Sequence, residues 1–378
     1  MSQLRILADD LTGALDTAAA FSGEVPVFID RPPGPDAEHW HAAVSAVATP
    51  TRDIPTDTLP EYLAPTVDWL RSGFLPYKKV DSLLRGNTFA EIAWLLRHGG
   101  FRGAIFAPAF PAQGRFTHAN RQWIAKPGQE AVAVAPPLRE AFAAFGIRAT
   151  TTEEALGGEA GIWMPEVRSD ADLDRIAERC NEAQARDYLW CGSAGLAQAI
   201  ARHQGLAPTA ANAPLAAGTS GLTVLISASF QPVLYEQWRI LKESMPTTAI
   251  AESARPEEIA RAIELACHGA DQAWFDLSPR REMTQDEALA LLRRNIDTLT
   301  QGLPTPGQLL VVGGDTLLGV CRATGAHALI ANASVRPGWG CATLLGGRWD
   351  GTRCHSRSGA FGEPDDLLQM LRMLTGTR

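Results

Sequence analysis

Two adjacent aspartates near the start of the chain, Asp9 and Asp10, lie in the run ADDLTGALD from Ala8 to Asp16. They follow a short apolar stretch and precede a helical one. That puts them at the carboxyl end of a buried strand, the edge where open α/β sheets hold their ligands. One of such a pair can take the proton of a hydroxyl during phosphoryl transfer, and Asp10 is equally suited to cap the following helix. The second cluster is KKVDSLLRGN, from Lys78 to Asn87. Alternation along a strand sets Lys79 and Asp81 on the same side, and Ser82, Arg85, Gly86 and Asn87 fall in the loop before the next helix. Lys79 and Arg85 supply donors for a carboxylate, which leaves Asp81 and Asn87 for hydroxyls. The chain has four lysines, and two of them are adjacent here, a concentration that a solvated edge seldom shows.

Other loops carry weaker signals. APAFPAQGRFTHAN, from Ala107 to Asn120, presents Arg115 on a loop that its prolines keep from becoming helix. GGDTLLGV, from Gly313 to Val320, ends a strand: its glycines let backbone N–H groups approach a phosphate, and Thr316 opens a helix whose N-terminus favours anions. Gly313, Gly314, Asp315 and Thr316 are therefore candidates for a phosphate cradle, although plain strand-to-helix turns share this look. PGWG, with Gly338, and SGAFG, with Gly359, suit either a nucleotide or a simple turn. CGSAGLA, from Cys191 to Ala197, reads as a close-packed structural turn.

The elements that must position these residues alternate between strand and helix. Strands are expected at Leu4–Ala8, Val25–Ile29, Ala43–Ala48, Pro76–Val80, Gly103–Ala107, Gly161–Val167 and Tyr188–Cys191, with helices at Thr12–Phe21, Phe89–Arg97, Asp172–Gln184 and Ala194–His203. Gly205–Gly221, rich in Ala, Pro, Gly, Ser and Thr, reads as a linker. Beyond it, strands at Thr223–Ser227, Ala273–Leu277 and Gln308–Val312 alternate with helices at Val233–Ser244, Glu257–His268 and Thr284–Leu299. The expected fold class is α/β, as two domains with largely parallel sheets and a cleft between them. The boundaries are 1–204, a linker over 205–221, and 222–378.

Bulk properties exclude other classes. Of 378 residues, 46% are hydrophobic and 20% charged, an ordinary globular profile, and the net charge of −8 argues against nucleic acid or an anionic membrane surface as partner. The N-terminus resembles neither a signal nor a transit peptide, and no stretch approaches the roughly 18 apolar residues of a membrane span, so a cytoplasmic location is expected. The six scattered cysteines form no C-x-x-C pair. There is no Gly-Lys dipeptide for a Walker loop, no dinucleotide fingerprint and no protein-kinase signature set. The metal question and the oligomeric state stay open, and a homo-oligomer is compatible with the sequence.

Taken in order, ADDLTGALD, KKVDSLLRGN, APAFPAQGR, CGSAGLA, GGDT, PGWG and SGAFG resemble the four-carbon acid sugar kinase family, formerly a domain of unknown function, through nearly the whole chain. The resemblance implies an N-terminal acid-sugar-binding domain and a C-terminal nucleotide-binding domain, and ATP-dependent phosphorylation of acids such as threonate and erythronate with Mg²⁺. It implies Asp9 or Asp10, Lys79, Asp81, Ser82, Arg85, Gly86 and Asn87 on the sugar acid, and Ser229, Gly313 to Thr316 and Gly359 on the nucleotide. Asp10 is the first choice as catalytic base and Asp81 the second; Arg115 and Gly338 complete the substrate and nucleotide sets. The family's Ser-Gly-Ser-x-Ser-x-x-Thr run corresponds here to SASFQPVL, from Ser227 to Leu234, and its lysine before the last glycine loop to Arg357. Two alternatives follow from those departures: a kinase for a branched or oxo acid, and an acid-binding regulator with impaired ATP binding.

Overall fold

A computed structural model describes residues 3–126, 128–153, 161–208, 221–229, 231–245, 247–279, 283–336, 338–359 and 362–376. The chain divides into two compact units, Met1–Ala210 and Ala211–Arg378. Most of the expected linker, residues 209–220, lies outside the described residues, as do Phe230, Pro337, Ala360 and Phe361 of the glycine-rich loops.

The first unit contains strands β1 (Leu4–Ala8), β2 (Val25–Ile29), β3 (Val44–Ala48), β4 (Leu75–Lys79), β5 (Gly103–Ala107), β6 (Arg115–His118), β7 (Arg121–Ile124), β8 (Val132–Ala133), β9 (Ala149–Thr150), β10 (Gly161–Trp163) and β11 (Tyr188–Gly192). Its helices are α1 (Leu11–Ala18), α2 (Leu59–Leu63), α3 (Val67–Ser72), α4 (Thr88–His98), α5 (Leu138–Ala143), α6 (Asp170–Ala177) and α7 (Ala194–His203). The main sheet runs β2-β3-β1-β4-β11-β5-β10-β9, every pair parallel. Strands such as LRILA and VSAVA are buried along their whole length, as parallel strands covered on both faces must be. Even Arg5 of β1 is enclosed: its guanidinium lies between Trp40 and Trp69 and donates to Ser45 Oγ, and burial pulls its pKa down to about 10.

The order of these strands locates the site. From β1 the chain moves outward to β2 and back through β3, then resumes at β4 on the other side of β1. β1 and β4 therefore flank a topological switch point, where the carboxyl ends of neighbouring strands leave a crevice. Register aligns Ala8 with Ala48 and with Lys79, Lys79 with Gly192, and Gly192 with Ala107. The loops after β3, β1, β4, β11 and β5 thus leave the sheet at one level.

The second unit contains β12 (Thr223–Ser227), β13 (Ile250–Ala251), β14 (Gln272–Asp276), β15 (Gln308–Val312), β16 (Ala328–Arg336), β17 (Trp339–Leu345) and β18 (Arg353–Arg357), with helices α8 (Pro232–Ser244), α9 (Pro256–Cys267), α10 (Gln285–Gly302), α11 (Gly314–Thr324) and α12 (Asp366–Thr375). The order is β13-β14-β12-β15-β18-β17-β16. It is parallel as far as β18 and antiparallel through β17 and β16. Trp238, Trp274, Trp339 and Leu371 belong to a core cluster where α8 and α12 meet.

The α/β class and the largely parallel pairing agree with the sequence reading; three local expectations need correction. β4 ends at Lys79, so Asp81 lies past the strand rather than alternating within it. α6 starts at Asp170, because Ser169 and Asp172 form a reciprocal capping box that fixes the start there. Gly338 of the PGWG run lies between β16 and β17, and Trp339 and Gly340 open β17, in an antiparallel pair the sequence reading did not place.

Candidate functional site

The edge after β1 and β4 in the first unit gathers charged side chains. Asp10 caps α1: its Oδ1 accepts from Gly13 N (2.9 Å) and its Oδ2 from Thr12 Oγ1 (2.7 Å). Arg52, in the loop after β3, donates through Nη1 to Asp10 Oδ2 (2.7 Å), and through Nε and Nη2 to the two carboxyl oxygens of Asp9 (3.0 and 2.9 Å). Asp9 is 1% exposed. Burial pushes its carboxyl up, but Arg52, Lys78 and Lys79 outweigh that and hold it below the usual range. One guanidinium therefore ties both aspartates into a rigid strand end.

Asp81 is held in a similar way. Arg85 donates to it through backbone N (3.2 Å), Nε (2.5 Å) and Nη2 (3.0 Å). Burial alone would raise this carboxyl, and the hydrogen bonds and charge of Arg85, helped by Arg52 and Lys79, bring it down to about 2. Asn87 spends both amide hydrogens on Thr51 O (2.8 Å) and Ile54 O (2.7 Å), so it anchors the loop that carries Arg52. That is a different task from the hydroxyl contact expected of its side-chain amide. Gly86 has φ +71, and a Cβ there would strike the carbonyl of Arg52. Its lack of a side chain lets the two loops touch. Arg115 reaches Ser82 Oγ (2.6 Å) and Gln113 Oε1 (2.7 Å), while Gln122 on β7 donates to Ser82 O (2.9 Å). The small sheet β6–β7–β8 is thus fastened to the loop after β4.

Against this background of paired charges, two groups stand apart. The ammonium of Lys79, 5% exposed, has no hydrogen bond or ion pair among the described residues, and neither has the carboxylate of Asp16. The Lys79 Nζ lies over Gly13, only 2.9 Å from where a Cβ of that residue would be. Asp16 is exposed on α1; the protein crowded around it raises its carboxyl, Asp10 adds to that rise, and Lys79 and Arg115 oppose it. By contrast Lys78, its strand neighbour, points away into a buried ion pair with Glu91 of α4 (2.5 Å). Of the two adjacent lysines, one builds the fold and one is left over. CGSAGLA is structural: Ser193 caps α7 and donates to Ala109 O (2.7 Å), and Tyr77 donates to Ser193 O (2.6 Å).

The corresponding edge of the second unit has a different make-up. Ser227, Val312 and Arg357 end three neighbouring parallel strands at one level, and the loops that follow carry Ser229, Gly313 to Thr316, and Gly359. A Cβ on Gly359 would collide with Ser229 Oγ, so the first and last of these loops are in contact. Gly313 has φ +115 and caps α11, whose first turn directs backbone N–H groups toward this edge. Thr316 is buried and Asp315 exposed. Gly338, at φ +82, sits in the hairpin turn at the same end, because Gly340 of β17 pairs with Ser356 of β18. Arg357 is turned inward, paired with Asp366 (3.3 Å), lying over the Trp339 ring (5.0 Å) and donating to Gln237 Oε1.

Comparison with known proteins finds similarity along nearly the whole chain. The family described as "Sugar-binding N-terminal domain" matches residues 4–144. D-threonate kinases of Bordetella bronchiseptica and Cupriavidus necator are each 28% identical to the chain, covering 99% of it and 98% of their own lengths. A 3-oxo-tetronate kinase of Cupriavidus necator is 26% identical, covering 99% of this chain and 97% of its own length. Over nearly its whole length the chain is thus similar to four-carbon acid sugar kinases. Among solved structures, a Salmonella typhimurium protein (TM-score 0.75, 18% identity) and a Haemophilus influenzae protein of the family model DUF1537 (TM-score 0.72, 16% identity) share the fold, each match covering 99% of this chain and 100% of the other.

The sequence reading passed over Arg52, Gln122 and Asp16 as site residues. Arg52 follows a strand that had been recognised, so the same carboxyl-edge rule that drew attention to Asp9 would have found it. Asp16 ends a motif already noted, and its spacing of three from Gly13 puts both on one face of α1. Gln122 gives no such signal, since only the folded hairpin brings it to Ser82.

Proposed function

We propose that this chain transfers the terminal phosphoryl group of ATP to a hydroxyl of a short sugar acid, with four-carbon acids such as threonate or erythronate as first choice. The observation that carries the reading is the Lys79 ammonium, almost enclosed and without a partner at the switch point. Burying a charge is costly unless an opposite charge meets it, and the substrate carboxylate meets it here. Ser82, Arg85 and Arg115 line the same edge for the remaining oxygens, and Asp9, Asp10, Gly86 and Asn87 hold the loops around them.

On the second unit the proposal sets the ATP phosphates at the Gly313–Thr316 turn, beside Ser229, Gly338 and Gly359. The residues fit that group: a positive-φ glycine, a helix N-terminus and a hydroxyl form a cradle that needs no lysine. An exposed carboxylate at Asp315 would repel a bare triphosphate, and suits one that carries Mg²⁺, held largely by the phosphates themselves. Bound there, the cation would neutralise phosphate charge. Transfer requires that water be kept from the phosphoryl group.

The test is ADP release with Mg-ATP across three- to six-carbon sugar acids. Turnover with a four-carbon acid supports the reading, and turnover only with a branched or oxo acid redirects it to that substrate. No turnover, together with no ATP binding by calorimetry, replaces it with an acid-binding regulator.

A further inference from the structure

The carboxylates around Lys79 are not equivalent. Asp10 accepts three hydrogen bonds, from Gly13, Thr12 and Arg52. Asp9 is sealed against Arg52, and Asp81 is held by three donors of Arg85. A carboxylate in such a grip is a poor proton acceptor, because each donor stabilises its charged form and would be abandoned on protonation. Asp16 alone in this group has neither a hydrogen bond nor an ion pair among the described residues, and it is open to solvent.

Its position also matches the size of the substrate. Gly13 lies under the Lys79 ammonium, 2.9 Å from its absent Cβ to Nζ. Asp16 is three residues further along the same helix face, which at about 1.5 Å per residue is a rise of about 4.5 Å. A four-carbon chain built from bonds of about 1.5 Å spans a similar length. An acid whose carboxylate rests on Lys79 and whose chain follows α1 thus brings its far hydroxyl to Asp16, while the missing side chain at Gly13 leaves it room.

We infer that Asp16, rather than Asp10 or Asp81, takes the proton of the attacking hydroxyl. This rests on the kinase reading. The hydroxyl oxygen forms a bond to the γ-phosphorus of ATP, the bond from that phosphorus to the β–γ bridging oxygen breaks with its electron pair leaving on ADP, and the hydroxyl proton passes to the Asp16 carboxylate. Burial and the nearby charge of Asp10 favour protonation of that carboxylate, and Lys79 and Arg115 favour its charged form.

The experiment compares the unaltered chain with D16N, D16E and D10N, measuring kcat against pH, acid binding by calorimetry and thermal melting. Expected for D16N is a kcat 10²- to 10⁴-fold lower, acid affinity within about threefold, an unchanged melting temperature and loss of the acidic limb of the kcat profile. D16E, which keeps a carboxylate one methylene further out, recovers part of the rate, and D10N loses melting temperature before it loses rate. The inference is overturned by a D16N rate within about tenfold of the unaltered chain with its acidic limb intact. It is equally overturned if D16N and D16E both lose rate only in step with acid affinity or melting temperature. Absence of acid-dependent ADP release in the unaltered chain is a separate result, which removes the kinase reading and this inference with it.

Discussion

Under the proposed function, the two strand-end edges of this protein handle anions by opposite means. In the first unit the work falls to side chains: Arg52 braces Asp9 and Asp10, Arg85 braces Asp81, and Lys79 is left facing the crevice unpaired. In the second unit it falls to backbone and hydroxyls at Gly313, Thr316 and Ser229, while the strongest cation at that edge, Arg357, is turned inward onto Asp366, Trp339 and Gln237. Side-chain charges read the shape and charge of a ligand, whereas backbone N–H groups read any phosphate alike. The difference explains why the departures from the family pattern at SASFQPVL and Arg357 fall where they do. An edge that relies on backbone tolerates exchanged side chains, and Arg357, packed as it is, serves the core of the second unit more than its ligand.

The sharpest way to break this comparison is Lys79→Met. Removing one member of a buried, hydrogen-bonded charge pair costs about 4 kcal/mol, so acid affinity should fall about a thousandfold by calorimetry. ATP affinity, which the proposal sets in the second unit, should stay within about twofold. Retained acid binding in K79M would mean that the first edge does not read charge through this ammonium.

Next in size is Arg52→Met. It removes the hydrogen-bonded counter-ion of the buried Asp9 carboxylate, and losing one partner of a buried pair costs about 3 kcal/mol. Urea or thermal unfolding measures that loss, and the double variant R52M/D9N should regain part of it, because a neutral amide needs no cation. If R52M melts like the unaltered chain, Arg52 is not the brace described here.

How much of this was legible depends on where a residue's partners come from. Strands such as VPVFI and GAIFA announce themselves, since burial on both faces demands apolar residues and little else. β18, RCHSR, does not: its polar side chains are buried because Gln308 pairs with His355 and Asp366 with Arg357, partners the local pattern cannot reveal. The Asp9–Asp10 and Lys79–Asn87 groups were visible as types at a strand edge, but not which members were already committed. Asn87 carries the right chemistry for a hydroxyl and gives it to Thr51 and Ile54, while Arg52 sat unremarked in TPTRD. Residue type suggests what a side chain can do, and three-dimensional neighbours decide whether it is available.

Acid separates the two units. His355 is buried in the second, and burial, aided by Arg353, pulls its pKa from 6.5 down to about 4. The unfolded chain therefore binds this proton first as pH falls, so stability drops from about pH 6.5 toward 4, by about 2 kcal/mol at pH 5. Asp81 in the first unit behaves at a lower range: with its pKa near 2 against 3.8, its contribution is complete above 3.8 and is lost only as pH falls from there toward 2. Urea unfolding followed at pH 7, 5 and 3.5 should thus weaken the second unit first, and His355→Gln should flatten the change between pH 7 and 5. Unfolding of the two units at the same pH midpoint in both proteins would remove His355 as the cause.

The smallest effect tests the backbone half of the comparison. Gly313 holds φ +115 where the strand turns into α11, and a Cβ there would come within 3.0 Å of Thr316 Oγ1. Gly313→Ala therefore costs about 1 kcal/mol in backbone strain, and it intrudes on the turn where N–H groups would meet a phosphate. ATP affinity should fall about tenfold with acid affinity unchanged. Thr316→Val keeps the backbone path and removes only the hydroxyl, so it should weaken ATP by less than Gly313→Ala does. If the order reverses, the second edge grips phosphate through side chains after all, and the contrast between the two units reduces to which side chains each one uses.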